Sequence, residues 1–139
     1  EVKRAIDGFN QLRNDLIEQV DDDLIVMLGE AGSAPTSDAR QHTETPGSAI
    51  DRLSIMSLRM YHMQEQIDRE DADAGHREKA RAKLRLCQEQ YADLSHSLEL
   101  LLEDLVAGRA RLKVYRQMKM YNDPSLNPYL YGGKKKPAA

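Results

Sequence analysis

Two polar side chains on a predicted helix, His62 and Glu65, have a spacing that could support chemistry. Residues three apart share one helix face, so the pair could contribute to a metal site or act as a base with its orienting carboxylate. The alternative is a solvated His–Glu pair on a half-buried face. Asp51, Ile55 and Leu58 extend the same stripe, which could form a second interface or the wall of a site.

An anion site is a second possibility at Gly47-Ser48, where a helix is predicted to begin. Exposed backbone N–H groups and the positive end of the helix could hold a phosphate, and Arg52, one turn further on, could bind it with two hydrogen bonds. The alternative is that Ser48 and Asp51 only cap the helix.

The basic segment 109–119 and the motif Tyr121-Asn122-Asp123-Pro124 form a third candidate region. The basic segment could bind a membrane surface, nucleic acid or a sugar-nucleotide phosphate, or its cations could simply favour a negative helix end and acidic neighbours. The motif is interpreted first as a structural lock and second as the edge of a site. The candidate ligand-binding residues are therefore Ser48, Asp51, Arg52, His62, Glu65, Lys119, Tyr121, Asn122 and Asp123.

Other familiar catalytic patterns are missing from the sequence. Asp93 and His96 point away from the predicted leucine seam, whereas a di-metal centre in a helical bundle needs ligands that face inward. No Ser-His-Asp order, phosphate loop or dinucleotide fingerprint occurs. We expect no metal site and no cofactor, and the sequence leaves open whether the protein is an enzyme.

The composition limits the class of protein that must position these residues. The chain has 139 residues, 31% of them charged, and a length of this order predicts one domain. No apolar run reaches the roughly 18 residues of a transmembrane span. One cysteine fits a reducing compartment, so we predict a cytoplasmic protein. The net charge of −3 argues against a global nucleic-acid binder, although residues 108–139 alone carry +7.

The apolar pattern predicts three helices, at about 2–28, 48–71 and 76–121, with a bend near Gly108 in the third. Residues 29–47 form a loop, and the second helix begins either at Thr45-Pro46 or with Ser48 as its N-cap. Residues 1–131 then form the domain and residues 132–139 a disordered tail. The first stripe has one polar interruption, at Arg13: Val2, Ile6, Phe9, Arg13, Leu16, Val20 and Met27.

Apolar residues on the second and third helices step by three and four, which is the heptad pattern of coiled coils. The fold class is therefore all-α, an antiparallel up-down bundle of three long helices that dimerisation would complete. A third helix of about 67 Å would overhang a first helix of about 40 Å, at ~1.5 Å per residue. We expect that overhang to meet a partner chain.

Two longer stretches carry a likeness that periodicity does not explain. The sequence resembles the bacterial family catalogued as domain of unknown function 4254 over residues 10–131. The resemblance implies a bacterial, mostly helical protein, and it supplies no reaction. Family members look longer at the N-terminus. The matching stretches are 44–55 (ETPGSAIDRLSI) with 61–66 (YHMQEQ), 114–124 (VYRQMKMYNDP) with 126–128, and the shorter segments 10–13 and 18–22.

These observations favour a non-catalytic interaction or assembly module that forms a homodimer in the bacterial cytoplasm. The alternative is an enzyme or binding protein for a phosphorylated small molecule, such as a nucleotide or a nucleotide sugar. That alternative predicts that Asp51, Arg52, His62 and Glu65 converge in one pocket with residues of the 119–123 segment.

Overall fold

The computed structural model describes residues 2–116 and Ser125, and within them it is mostly helical. The three helices are α1 (Val2–Glu30), α2 (Pro46–Asp68) and α3 (Ala74–Val106), and the two-residue strands are β1 (Arg40–Gln41) and β2 (Ala110–Arg111). The prediction of three helices is confirmed. The predicted tail and the residues Lys119, Tyr121, Asn122 and Asp123 lie outside the described part of the chain.

The second helix begins at the earlier of its two predicted starts. Thr45 is the N-cap, and its hydroxyl oxygen accepts a hydrogen bond from the Ser48 N–H at 3.2 Å. Pro46 follows as the first helical residue, where its missing N–H costs nothing. The alternative in which Ser48 and Asp51 cap the helix is therefore wrong, and α2 ends at Asp68 rather than at residue 71.

The third helix is shorter than the apolar pattern predicts. It begins at Ala74, where the Asp73 carboxylate accepts from the His76 N–H at 2.8 Å, and it ends at Val106. Gly108 has a φ of +71°, so it ends the helix instead of bending it. The prediction of a helix to residue 121 is wrong, and with 33 residues α3 spans about 50 Å at ~1.5 Å per residue. With 33 residues against 29 in α1, α3 has no long overhang for a partner chain to contact.

The loop after α1 is attached to the segment after α3. β1 and β2 pair in parallel, with Arg40 opposite Ala110 and Gln41 opposite Arg111. The Thr36 N–H donates to the Gly108 carbonyl at 3.0 Å. A Cβ on Gly108 would lie 2.6 Å from the Ala34 carbonyl oxygen, so this close approach requires glycine. The predicted loop therefore contains a short strand, β1, which pairs with the segment that follows α3.

The core lies where α2 and the second half of α1 meet α3. Leu101, Leu105 and Ala110 are buried, and Leu24 and Leu28 of α1 pack against them from outside. Met56 of α2 and Ala80 of α3 are buried further along the α2–α3 contact. Among residues 2–116, none of the three helices is long and apolar enough to cross a membrane.

Candidate functional site

The start of α2 holds a carboxylate from α1. Asp21 is only 2% exposed, and its Oδ1 accepts a hydrogen bond from the Gly47 N–H at 2.7 Å. Thr45 and Pro46 beside it are buried as well. The positive end of α2 thus stabilises a negative charge, as the sequence predicts for Gly47-Ser48, but the anion that contacts Gly47 belongs to the chain itself.

Gly47 is required by this close approach of α1 and α2. A Cβ at this position would lie 2.4 Å from the carbonyl oxygen of Ile17 and 2.9 Å from Oδ1 of Asp21. The first of these atoms is backbone, so any side chain at residue 47 would push the two helices apart.

Arg13 and Asp51 form a second link between α1 and α2. The Arg13 Nε donates to Asp51 Oδ1 at 2.5 Å, and Nη2 donates to Oδ2. The hydrogen bonds to Asp51 raise the pKa of Arg13 above its ordinary value. Asp51 is 14% exposed, and its two oxygens face this guanidinium. Arg13 therefore interrupts the apolar stripe of α1 because it binds a carboxylate on the neighbouring helix.

Arg52 lies on the other side of α2. It forms an ion pair with Glu44, and both side chains are about half exposed. The two residues line a cavity of about 590 Å³ between α2 and α3, together with Arg59. The α3 wall of this cavity is formed by Gln90, Asp93, Leu94 and Ser97. The neighbouring residues Asp51 and Arg52 therefore face different grooves.

His62 and Glu65 form a pair further along α2. The His62 Nδ1 lies 2.7 Å from Glu65 Oε2, and both side chains are exposed. Asp51 is eleven residues away, which is about 16 Å along a helix at ~1.5 Å per residue. Within residues 2–116, no group of three or more His, Cys, Asp or Glu side chains is arranged to bind a metal ion. The structure thus does not bring His62 and Glu65 together with Asp51 and Arg52.

Arginines of the basic segment bind acceptors of their own chain. Arg116 donates to Glu18 at 3.1 Å and to Asp22 at 2.8 Å, and these hydrogen bonds raise its pKa. Arg109 donates to Asp104 at 2.6 Å, and Arg111 to the Thr36 carbonyl at 3.2 Å. These contacts agree with the interpretation in which the cations bind acidic neighbours, although residues 112–116 are not helical.

The first half of α1 carries an apolar surface that the sequence predicts as a stripe but whose exposure it does not reveal. We name it the α1 stripe, and its five side chains are each between 53% and 75% exposed: Val2, Ile6, Phe9, Leu12 and Leu16. The periodicity that predicts these residues as a bundle seam is present, but the described part of the chain does not cover them. A groove of about 450 Å³ continues the surface, with Leu16 and Val20 on one wall and Ile50 and Leu58 on the other.

The family model described as "Protein of unknown function (DUF4254)" matches residues 1–114. The chain therefore belongs to this family, and the resemblance seen in its motifs is confirmed as far as residue 114; the second motif, at 114–128, lies almost wholly outside the match. Neither a curated protein nor a solved structure matches the chain.

Proposed function

We propose that this DUF4254 protein is a non-catalytic assembly module that forms a homodimer in the bacterial cytoplasm through the α1 stripe. The stripe is the observation that carries the proposal. Five apolar side chains in one row on a helix differ from the scattered apolar residues that most protein surfaces carry. Covering them with a second copy would complete an up-down helical bundle.

Leaving the apolar side chains of the α1 stripe in water is energetically unfavourable. Removing apolar surface from water stabilises a complex by about 25 cal/mol per Å². A helix whose apolar face finds no partner in its own chain obtains little stability from propensity alone, since tertiary packing supplies most of it. A partner helix against residues 2–16 would therefore both bury the stripe and support the helix that carries it.

The polar residues near the stripe support a structural role over catalysis. Asp21 and Asp51, the two least exposed carboxylates at the α1–α2 contact, bind Gly47 and Arg13. A general base must reach a proton of the substrate, and neither carboxylate has that freedom. Both carboxylates instead form the hydrogen bonds that hold α1 against α2.

Sedimentation equilibrium of the chain and of Phe9→Ser tests the proposal. We expect a reversible dimer for the unmodified chain and a dissociation constant raised at least about tenfold in the variant, because central aromatic residues dominate interfaces. Leu86→Ser is the matched control, since Leu86 is an exposed apolar residue too, at 53% against 71% for Phe9, but lies on α3. A monomer at several hundred micromolar would overturn the proposal.

A second candidate function has one observation in its favour. Arg52 and Arg59 line the same groove between α2 and α3, where a phosphorylated small molecule such as a nucleotide or nucleotide sugar could bind. Of the residues predicted for such a ligand, this groove contains Arg52 and not Asp51, His62 or Glu65.

A thermal-shift series with nucleoside diphosphates and nucleotide sugars tests this candidate. Stabilisation that is lost in both Arg52→Ala and Arg59→Ala, but retained in Arg81→Ala on the α3 surface, would support it. A midpoint that none of these compounds changes would exclude it for those ligands.

A further inference from the structure

We infer that two copies pair through α1 in antiparallel orientation, with Phe9 on the two-fold axis. The inference rests on the proposed function and adds the orientation of the two helices and the residue pairs in contact. Phe9 packs against the partner's Phe9, and the two flanking contacts on each side are Val2 with the partner's Leu16 and Ile6 with the partner's Leu12.

The spacing of the α1 stripe is symmetric about Phe9. From Val2 to Leu16 the steps are 4, 3, 3 and 4, so the row reads the same in both directions. At about 100° per residue, these five positions lie within about 120° of one another. A two-fold dimer needs a self-complementary patch in which residue i contacts j and j contacts i. An antiparallel pair centred on Phe9 meets this requirement at every position of the stripe.

The surface around the stripe leaves room for a second helix. The contacts of α1 with α2 and with the buried cluster involve Arg13, Ile17, Asp21, Leu24 and Leu28. On the helix these positions centre about 80° away from Phe9, at ~100° per residue. A Cβ on Gly8, beside Phe9, would have no atom within 4 Å. The partner's α1 can therefore lie against Phe9 while α2 keeps its place.

Apolar side chains of α2 face the same region. Ile50 and Leu58 line the groove beside Leu16 and Val20, and they are 45% and 61% exposed. A second helix on the α1 stripe would lie next to this groove. The paired α1 helices with their two α2 helices would then form a four-helix arrangement, which buries more apolar surface than α1 alone.

The charge distribution along α1 favours the antiparallel orientation. Residues 3 and 4 are basic, whereas residues 14–23 contain five acidic residues and no basic one. In an antiparallel pair centred on Phe9, Lys3 of each helix lies at the level of Asp15 of the other, which is the first acidic residue of that stretch. In a parallel pair, like charges would lie at the same level, which is unfavourable.

Disulfide formation between single-cysteine chains tests the orientation. In a Cys87→Ser background, a Val2→Cys chain is mixed with a Leu16→Cys chain that carries a mass label. Disulfides require Cα atoms within about 7 Å. We expect the yield of the mixed disulfide to be at least about five times the yield of either self-disulfide. We expect the same ratio when an Ile6→Cys chain is mixed with a Leu12→Cys chain. Residues 6 and 12 lie nearer the two-fold axis than residues 2 and 16, so this pair reports the orientation even if the helix frays at residue 2.

The outcomes separate the two proposals. A dimer in which Val2→Cys and Ile6→Cys each link to themselves indicates a parallel pair and overturns the inference alone. A dimer with no disulfide at any of the four positions places assembly on another face, so it overturns both the inference and the homodimer through the α1 stripe. A monomer by sedimentation overturns both the inference and the proposed function.

Discussion

The two halves of α1 have the same apolar periodicity and opposite surroundings. The second half is held by Asp21 at Gly47 and by Leu24 and Leu28 at the core, and Arg13, near the middle of the helix, binds Asp51. The first half exposes Phe9 and its neighbours to solvent. Periodicity therefore shows that a helix face needs a partner, and it does not show whether the partner belongs to the same chain. Close contacts and ion pairs identify the part of α1 that packs against the rest of its own chain.

The largest expected effect is at the closest contact of α1 with α2. Gly47→Val places a Cβ against the Ile17 carbonyl, so α1 must move and the free energy of unfolding falls by about 3 kcal/mol. Urea denaturation monitored by circular dichroism measures it. Gly29→Ala is the control, because a Cβ there meets no atom within 4 Å, and we expect no loss of stability. Equal stability of the two variants would contradict the close approach.

Removing the buried carboxylate is expected to have the next largest effect. Asp21→Ala leaves the buried Gly47 N–H without its acceptor and the start of α2 without its negative charge, which costs about 2 kcal/mol of unfolding free energy. Asp23→Ala is the control, since Asp23 is exposed and accepts from Gln19 one turn earlier on the same helix. If both variants lose the same stability in urea, the link between α1 and α2 does not depend on Asp21.

Two leucines of α1 compare its halves directly. At protein concentrations where the chain is monomeric, Leu28→Ala should lower the free energy of unfolding by about 1.5 kcal/mol, because Leu28 packs against the buried cluster. Leu12→Ala, at a position 54% exposed, should change it by less than about 0.5 kcal/mol. A similar loss in both variants under these conditions would mean that the first half of α1 is covered by its own chain.

The ion pair between Arg13 and Asp51 should contribute least. Arg13 is 47% exposed, so solvent screens the pair, and we expect a coupling energy below about 1 kcal/mol. A double-mutant cycle with Arg13→Met and Asp51→Asn in urea measures it. A coupling above about 2 kcal/mol would place this pair, rather than Asp21 with Gly47, as the main link between the helices.

The sequence predicts the three helices because each has a long periodic stripe, and it locates the start of α2 at one of two positions. It misses the end of α3, since Leu112 and Tyr115 continue the pattern of three and four beyond Gly108. The deciding contacts are far away in the chain: Thr36 and Arg40 hydrogen-bond to Gly108 and Arg109, about seventy residues on. Local propensity carries no information about such pairing.

The candidate site was predictable in part. A helix start suited to an anion is visible at Gly47-Ser48, but no local signal identifies Asp21, twenty-six residues earlier, as that anion. Arg13 offers a usable signal, because a charged residue in an apolar stripe implies a buried or paired partner. The exposure of the first half of α1 depends on the absence of a tertiary contact, which periodicity alone does not reveal.

The central claim is that a second copy covers the α1 stripe, and thiol labelling of Leu12→Cys in a Cys87→Ser background tests it most directly. We predict that the labelling rate falls as protein concentration rises, following the same midpoint as dimer formation in sedimentation. Leu86→Cys, on α3, should react at one rate throughout. A Leu12→Cys rate that is independent of concentration, in samples that sediment as dimers, would contradict the account.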